Sequence, residues 1–249
     1  MIRVSVVTAV YNRRETIAQA LDSVLSQTYP AVESVVVDGA STDGTLDVLE
    51  DYRSRLGVFV SEPDGGIYDA LNKGIRLATG DVVGFLHADD LFADDGVLAA
   101  IAQRFQDPAV DAVYGDLVYV DAADVSKVVR LWTAGVFDPT RLRQGWMPPH
   151  PTLYVRRSVY ERLGGFDTRY RIAADYDSVV RFFGAGGIRP AYIPKLLIRM
   201  RVGGVSNRSL VTIWRKSSED FAIMRRNGVG GILTVLRKNL SKVSQFWLR

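Results

Sequence analysis

The sequence has no cysteine and only two histidines among its 249 residues. The lack of cysteine excludes disulfide bridges, thiolate zinc sites and cysteine nucleophiles, and it agrees with a reducing compartment. The sequence also lacks an uninterrupted apolar run near the roughly 20 residues that a membrane-spanning helix needs. Met1 leads directly into a strand pattern, so no signal peptide is expected. These features predict a cytoplasmic protein.

Acidic residues are scarce in the last part of the chain. From Arg199 onward, eleven basic residues stand against only Glu219 and Asp220, a net charge of +9, so residues 1–198 carry −6. A basic tail on an acidic body predicts an anionic surface as partner and argues against a nucleic-acid-binding catalytic domain. The length and the apolar content of 47% fit one large α/β domain with a short appendage.

The first half of the chain alternates short apolar runs with segments of helical periodicity. Repetition at this spacing is typical of parallel βαβ units, so it predicts an α/β fold with a Rossmann-like, mostly parallel central sheet and helices on both faces. The ligand site of such a sheet lies at the carboxyl ends of its strands. The predicted strands are Val4–Val10, Val35–Val37, Val58–Val60 and Val82–Leu86, and the predicted helices begin at Ile17, Thr45, Ile67 and Val97.

The second half of the chain has shorter strand patterns separated by turns. They predict a smaller mixed sheet beside the parallel one. A loop is expected at Gly145–Pro151. The predicted strands are Ala112–Tyr114, Leu117–Val120, Val128–Trp132 and Ile188–Ile193, and the predicted helices are Ser158–Leu163 and Asp175–Phe183.

Acidic side chains follow two of the predicted strands. Asp38 can accept hydrogen bonds from the N–H edge of a nucleobase, with Gly39 permitting close backbone approach, or it can belong to a plain turn before a helix cap. The adjacent carboxylates of Asp89 and Asp90 would repel each other unless a cation bound them. Hard ions that also bind diphosphates, Mg²⁺ or Mn²⁺, suit such oxygen ligands. A metal site is therefore the favoured interpretation of this pair.

Four further residues have both a chemical and a structural interpretation. Asp175 and Asp177 lie at the start of a predicted helix, where an aspartate can serve as a general base or merely complement the helix dipole. His150 lies between two prolines and could be a ligand or a phosphate contact, although lone histidines are more often structural. His87 is more ambiguous still.

Eight segments in order resemble the family-2 glycosyltransferases, which have the GT-A fold. Each segment is weak alone, but the ordered set is specific and covers about residues 1–207. The resemblance is closest to short bacterial members that build exopolysaccharides or cell-envelope glycolipids. The segments are VSVVTAVYN (4–12), VVDGASTDGT (36–45), SEPDGGIYDALNKGI (61–75), ATGD (78–81), ADD (88–90), LGGFD (163–167), AADYD (173–177) and GGVSN (203–207).

The resemblance implies an enzyme that transfers a sugar from a nucleotide-diphosphate sugar to a hydroxyl group of a glycan or glycolipid. It implies Asp175 as the catalytic base, with Asp177 in support, and Asp90 as the main ligand of Mn²⁺ or Mg²⁺. The residues that it implies at the nucleotide sugar are Ala9, Tyr11, Asp38, Lys73, Asp89, His150 and Arg201.

The chain departs from the family pattern at three points. The first loop has Ala9-Val10 where Pro-Thr is common. The acidic motif reads His-Ala-Asp-Asp at 87–90, so only its last two acids match. Arg201 stands where many relatives have a histidine. It cannot ligate a metal, although its charge could neutralise a pyrophosphate.

The resemblance divides the chain into a catalytic domain at 1–207 and a tail at 208–249. About residues 1–110 would bind the nucleotide sugar, and 111–207 would form the acceptor side. The tail favours an interfacial helix on the inner face of the cell membrane, and packing on the domain or on a second subunit is the alternative. Its apolar positions at helical spacing are Val229, Ile232, Leu233, Leu236, Leu240, Val243 and Trp247, near the basic residues Arg237, Lys238 and Lys242.

The expected reaction is a single displacement with inversion, and two other functions are considered beside it. A sugar nucleotidyltransferase would need a glycine-rich basic loop after the first strand, which AVYNRR at 9–14 does not resemble. A non-catalytic nucleotide-sugar-binding protein would not need both Asp90 and Asp175.

Overall fold

The computed structural model describes residues 1–203, 210–231, 233–235 and 238. Short 3₁₀ turns lie at Arg53–Arg55, Pro139–Gln144 and His150–Thr152. The strands are β1 (Val4–Val10), β2 (Val32–Asp38), β3 (Val58–Ser61), β4 (Val82–Phe85), β5 (Leu91–Phe92), β6 (Ala112–Val120), β7 (Val128–Trp132), β8 (Tyr154–Arg156) and β9 (Pro190–Arg201). The helices are α1 (Ile17–Leu25), α2 (Thr45–Tyr52), α3 (Ile67–Leu77), α4 (Val97–Arg104), α5 (Arg157–Leu163), α6 (Ala174–Phe183) and α7 (Leu210–Arg226).

The first four strands form the parallel half of the sheet. β1 pairs in parallel with β2 on one side and with β4 on the other, and β2 pairs in parallel with β3. Every residue of β1 is buried, as expected of a strand that helices cover on both faces. The register places Val10 beside Asp38 and Asp38 beside Ser61, so these strands end together at one edge of the sheet.

The remaining strands continue the same sheet in mixed orientation. In the described part of the chain the order is β3-β2-β1-β4-β8-β6-β9-β5, with β7 paired to β6. β8 is antiparallel to both β4 and β6, and β9 is parallel to β6. The predicted mixed strands are therefore joined to the parallel half through β8.

Three strand predictions in this half were wrong in their bounds. The segments Ala112–Tyr114 and Leu117–Val120 form one strand, β6, whose register with β9 shifts between Tyr114 and Leu117. The strand expected at Ile188–Ile193 begins at Pro190 and continues to Arg201, because it follows β6 along its whole length. This extension brings Arg201 to the edge where the parallel strands end.

Apolar side chains fill both faces of the sheet. On one face Val7, Val35 and Phe85 pack with side chains of α3 and α6. On the other face Val6 and Val82 pack with side chains of α1 and α4. The alternation of Val6 and Val7 between the two clusters follows from the two-residue period of a strand.

The C-terminal segment packs on the domain as far as the structure describes it. Ile223 and Met224 of α7, together with Val235, bury against Ala173, Tyr176 and Val180. No helix in the described ranges is long and apolar enough to cross a membrane. Of the predicted tail residues, Ile232, Leu236, Arg237, Leu240, Lys242, Val243 and Trp247 lie outside the described residues.

The basic residue Lys238 departs from the predicted amphipathic pattern. Its Nζ donates to Asp220 of α7 at 2.8 Å and lies 3.1 Å from the centre of the Tyr176 ring. Both charged side chains are almost fully buried. Lys238 therefore fixes the segment to the domain and is not part of an exposed basic surface.

Replacement of Gly74 should test the close packing of α3 on the sheet. A Cβ at this position would overlap Cγ1 of Val7 in β1. Overpacking of this kind costs about 1–3 kcal/mol, which exceeds the gain of about 1 kcal/mol in helix propensity. We expect Gly74→Ala to lower the thermal unfolding temperature by several degrees. Gly96→Ala is the matched control, because its Cβ would make only ordinary contacts. Equal unfolding temperatures for the two variants would contradict this packing.

Candidate active site

Loops and strand ends from both halves of the sheet meet at one edge. The loops after β1, β2 and β4 bring Tyr11, Asp38 and Asp89 there, and the end of β9 brings Arg201. The first turn of α6 contributes Asp175. Because the carboxyl ends of parallel strands form the ligand crevice of an open α/β sheet, this edge is the candidate site.

Asp38 shapes the loop after β2. Its side chain is fully buried and accepts hydrogen bonds from Ser41 N at 3.0 Å, Ser41 Oγ at 2.5 Å and Ser61 Oγ at 2.7 Å. Ala40 has a φ of 60°, in the left-handed region, which turns the chain back so that Ser41 reaches the carboxylate. The carboxylate thus already accepts three hydrogen bonds, and its predicted contact with a nucleobase stays a prediction.

Asp64 is a polar residue at this edge to which sequence reasoning gave no role. A Cβ on Gly39 would lie 2.7 Å from its Oδ2 and 3.4 Å from the ring of Tyr11. Gly39, Asp64 and Tyr11 are therefore neighbours, and we call this cluster the slot after β1 and β2. The Tyr11 side chain is 58% exposed there. Asp64 Oδ1 accepts from Gly66 N at 2.7 Å, which fixes the carboxylate. The signal available in the sequence was an aspartate directly before Gly65-Gly66, at the turn into a helix.

Lys73 supports the loop that carries Asp64. Its Nζ donates to the carbonyl of Pro63 at 2.9 Å and lies 3.0 Å from Glu62 Oε1. The side chain is mostly buried in this position. Both contacts hold the Lys73 ammonium group at the loop before α3. In this position Lys73 would influence a bound nucleotide by fixing that loop. Ala9 is buried at the end of β1 beside Val37.

The two adjacent carboxylates after β4 have different surroundings. Asp90 is 2% exposed, its Oδ1 accepts from Arg201 N at 3.2 Å, and its Oδ2 is buried with no hydrogen-bond partner. Burial, and then the charge of Asp89, raises the pKa of the Asp90 carboxyl well above its ordinary range. The Asp89 side chain is about one third exposed and lies 3.7 Å from Arg13 Nε.

Arg201 crosslinks the end of β9 to this acidic loop. Its Nη1 donates to the carbonyl of Asp89 at 2.5 Å, and its Nη2 donates to Gln19 Oε1. The side chain is almost fully buried. A fixed cation beside Asp90 partly offsets the cost of burying that carboxylate, because desolvation favours the neutral form.

The acidic loop fits a divalent cation that is shared with a diphosphate. Within the described ranges no group of three acidic, histidine or cysteine side chains could hold an ion by itself. Mg²⁺ is commonly held by one or two carboxylates together with water and substrate phosphates. The unpartnered Oδ2 of Asp90 and the exposed carboxylate of Asp89 match such a set.

Asp175 is partly exposed in the first turn of α6. Its Oδ1 accepts from Tyr176 N at 2.8 Å and lies 3.4 Å from the hydroxyl of Tyr68. Burial, and then the charge of Asp175, raises the pKa of Tyr68 well above its ordinary range, so this hydroxyl remains a donor at neutral pH.

Asp177 has a structural role in the same helix. It is fully buried, and its Oδ2 accepts from Arg181 Nε at 2.7 Å. Arg181 in turn donates to the carbonyls of Leu163 at 2.6 Å and Gly165 at 2.5 Å. The pair thus joins α6 to the LGGFD segment, which separates the roles of the two aspartates that spacing alone could not distinguish.

Two neighbouring histidine rings lie near the acidic loop and Asp175. The ring centres of His87 and His150 are 6.2 Å apart, and His150 also stacks on Phe85 at 5.5 Å. Burial lowers the pKa of His150 to about 4 and also lowers the pKa of His87, against the opposing charges of Asp89 and Asp175. Both rings are therefore neutral at pH 7. His150 can offer hydrogen bonds to a phosphate or sugar but no positive charge.

The sequence model of Glycosyl transferase family 2 matches residues 5–166 of this chain. The chain belongs to glycosyl transferase family 2. It is 32% identical over 209 residues to a "PGL/p-HBAD biosynthesis glycosyltransferase" of Mycobacterium bovis, an alignment that covers 82% of this chain and 78% of the relative. The predicted resemblance and the assignment as a glycosyltransferase are thereby confirmed.

Solved structures place the enzyme in the GT-A fold. One neighbour is S. aureus TarS 1–349 in complex with UDP-GlcNAc, with a TM-score of 0.70 and 20% identity over 92% of this chain and 66% of that one. Another is the mannosyltransferase PcManGT from Pyrobaculum calidifontis in complex with GDP-Man and Mn²⁺, with a TM-score of 0.65 and 26% identity over 90% of this chain and 64% of that one. The enzyme thus spans slightly less than two thirds of each solved chain. The predicted α/β class and GT-A fold are confirmed.

Proposed function

We propose that this family 2 enzyme is an inverting, metal-dependent glycosyltransferase. It would move a sugar from a nucleotide-diphosphate sugar to a hydroxyl of a polysaccharide or glycolipid of the cell envelope. The observation that carries the proposal is that Asp89 of the acidic loop and Asp175 of α6 both lie near His87, whose ring is 6.2 Å from that of His150. The name of the Mycobacterium bovis relative supports glycoconjugate biosynthesis. The complexes of the structural neighbours support a nucleotide sugar as donor.

The nucleoside end of the donor is assigned to the slot after β1 and β2. The exposed Tyr11 ring offers a stacking surface, and Asp64 Oδ2 offers an acceptor for the N–H edge of a base or for a ribose hydroxyl. Gly39 leaves the slot open, since a side chain there would meet Asp64. Asp38 acts on the donor through the loop that it folds, and Ala9 closes the inner wall.

The diphosphate end is assigned to the acidic loop. The residues that would hold Mn²⁺ or Mg²⁺ are Asp90, through its unpartnered Oδ2, and Asp89, which is accessible from solvent. When bound, such an ion neutralises the charge that develops on the leaving nucleoside diphosphate. Arg201 keeps the loop in place and adds positive charge beside it. The neutral His150 borders the space between this loop and Asp175.

The transfer step is assigned to Asp175. Its carboxylate removes the proton of the acceptor hydroxyl while that oxygen bonds to the anomeric carbon. The bond from that carbon to the diphosphate oxygen breaks, and its electron pair leaves with the diphosphate. Attack on the face opposite the leaving group inverts the configuration. Asp177, the nearest other carboxylate of α6, is committed to Arg181 and is not available as a nucleophile.

The two competing functions are less compatible with the site. A nucleotidyltransferase needs a phosphate-binding loop after the first strand, whereas here the backbone of Asn12 and Arg13 bonds to the side chains of Ser41 and Thr45. A purely binding protein would not need both Asp90 and Asp175, and Asp175 would then serve only the dipole of α6.

Replacement of Asp90 should separate metal binding from folding. Asp90→Asn keeps an acceptor for Arg201 N but removes the buried charge, so we expect Mn²⁺ affinity to fall and turnover to drop by orders of magnitude while the fold persists. Asp89→Asn measures how much the exposed carboxylate of Asp89 contributes to Mn²⁺ binding and turnover. Turnover is measured with Mn²⁺ and with EDTA, and the fold is checked by thermal unfolding. Full turnover by the wild-type enzyme in EDTA would refute the metal assignment.

Replacement of Asp175 should abolish transfer and spare donor binding. The amide of Asp175→Asn keeps the shape but cannot take a proton, and general bases typically contribute about 10²–10⁴-fold to rate. We expect a loss in that range, with an unchanged dissociation constant for the donor in calorimetric titration. The comparison variant is Asp177→Asn, which should lose thermal stability but retain more transfer. If Asp175→Asn turns over normally, the base is another group.

We further propose that the basic C-terminal segment attaches the enzyme to the inner face of the cell membrane. The support is the net charge of +9 from Arg199 onward, a sum that includes the buried Arg201 and Lys238. Attraction to anionic lipid is worth about 1 kcal/mol for each basic residue near the surface and is screened by salt.

A charge-removal variant should test this attachment without disturbing α7. Joint replacement of Arg237, Lys242 and Arg249 by Gln should reduce co-sedimentation with phosphatidylglycerol vesicles at low salt. Lys238 is retained because it is paired with Asp220. In the control variant, the exposed Arg55, Arg104 and Arg162 of residues 1–198 are replaced by Gln, which removes the same amount of positive charge. Equal sedimentation of the two triple variants would show that the segment has no special role.

A further inference from the structure

The carboxylate of Glu219 in α7 accepts hydrogen bonds from the backbone that leads into α6. Glu219 Oε1 accepts from Arg171 N at 3.1 Å. Its Oε2 accepts from Ile172 N and from Ala173 N, both at 2.9 Å. Three successive N–H groups therefore point at a single side chain that lies more than forty positions further along the chain. Hydrogen bonds from backbone N–H groups to an ionised carboxylate are among the stronger ones in proteins.

The start of α6 has no cap of its own. Ala173 occupies the N-cap position and makes no side-chain cap hydrogen bond, and Ala174 follows as the first helical residue. Alanine is a poor N-cap because it offers no acceptor to the free N–H groups of the first turn. Glu219 does not replace this cap, because it accepts from the three residues directly before the helix, and it thereby fixes the segment from which α6 begins.

The same loop is also held by α3. The Tyr68 hydroxyl donates to the carbonyl of Ile172 at 2.7 Å and lies 3.4 Å from Asp175 Oδ1. Glu219 and Tyr68 thus both bond to the backbone of Ile172, three residues before Asp175. The position of the Asp175 carboxylate depends on this segment, because its helix begins there.

α7 is itself anchored, so it can act as a rigid support. Ile223 and Met224 are fully buried against Tyr176 and Val180. Beside Glu219, Asp220 accepts from the buried Lys238, whose Nζ lies over the Tyr176 ring. α7 lies outside residues 5–166, the part that matches the family.

We propose that Glu219 is a positioning residue that fixes the carboxylate of Asp175 for proton removal from the acceptor. The role rests on the proposed function of Asp175. Displacement of a reacting group by about 1 Å can cost about 10²-fold in rate. Loss of Glu219 therefore affects the transfer step and leaves the distant nucleoside slot intact.

The first measurement tests the hydrogen bonds between Glu219 and the backbone of 171–173. In Glu219→Gln an N–H₂ group replaces one of the two oxygens that accept from the backbone N–H groups of 171–173, and the negative charge is lost. We expect hydrogen–deuterium exchange, resolved by NMR on the full-length enzyme, to accelerate at least tenfold at the amides of Ile172 and Ala173. Exchange in the middle of α6, at Val179 and Val180, should stay within twofold of wild type. Unchanged exchange at Ile172 and Ala173 would overturn the proposal without reference to any activity.

The second measurement addresses catalysis. Nucleoside diphosphate release is followed with a panel of UDP-, GDP- and dTDP-sugars, with octyl glycosides as acceptors. For the donor that the wild type uses, Glu219→Gln should lower kcat by about 10–100-fold with the donor KM within twofold, and Glu219→Asp should recover part of the loss. Arg226→Gln is the matched control on α7, because it removes a charged contact to Asp167 at 3.0 Å and leaves the 171–173 amides bonded.

The outcomes separate this role from the proposed function. Normal kcat in Glu219→Gln, beside an active wild type and an inactive Asp175→Asn, would overturn the positioning role alone. A loss in Glu219→Gln that Arg226→Gln reproduces would also overturn it, since general loosening of α7 would then suffice. A wild type that turns over no nucleotide sugar would overturn the proposed function and this role with it.

Discussion

The parallel pairing of β1 with β2 and β4 is the constraint on which the site depends. Since parallel strands end at the same edge of a sheet, this pairing brings three loops with polar side chains to one place. The parallel pairing of β2 with β3 sets Asp38 beside Ser61, and their hydrogen bond helps to fold the loop beside the proposed nucleoside slot. The polar edge is thus a consequence of an apolar core, because the buried valines fix the register.

The acidic loop after β4 adds an electrostatic requirement to this geometry. A buried carboxylate with one unpartnered oxygen is costly unless a proton or a cation compensates it. Arg201 compensates part of the charge of Asp90 from the end of β9, through its backbone N–H and its guanidinium. The mixed half of the sheet therefore stabilises an acidic loop that belongs to the parallel half. A divalent cation bound with a diphosphate would complete the compensation.

Sequence reasoning was most successful where local pattern and tertiary packing agree. The buried strands and amphipathic helices of the parallel half have periods that the sequence shows directly, and the predicted bounds of β1 and the predicted start of α2 match those observed. The predicted bounds of β7, in the mixed half, also match. The length of β9 was missed because β6, a partner distant in sequence, extends it. Asp38 was predicted to face a ligand, but its partners Ser41 and Ser61 cannot be inferred from strand ends alone.

The residues around Asp175 were harder to place from the sequence, because their partners come from elements that are remote in the chain. AADYD puts Asp175 and Asp177 at a helix start, but only the contacts of Arg181 show which one is structural.

The remote contacts at α6 also bear on where the functional unit ends. A boundary at residue 207 would leave Asp175 with the catalytic domain and separate it from Glu219 and the buried pair of Asp220 and Lys238. Removal of those groups would leave three backbone N–H groups without their acceptor and expose the apolar side chains that α7 covers. Unpaired backbone donors and exposed apolar surface both destabilise the segment from which α6 begins. The physical unit that contains the site therefore extends through α7, although the family pattern matches only the first two thirds of the chain.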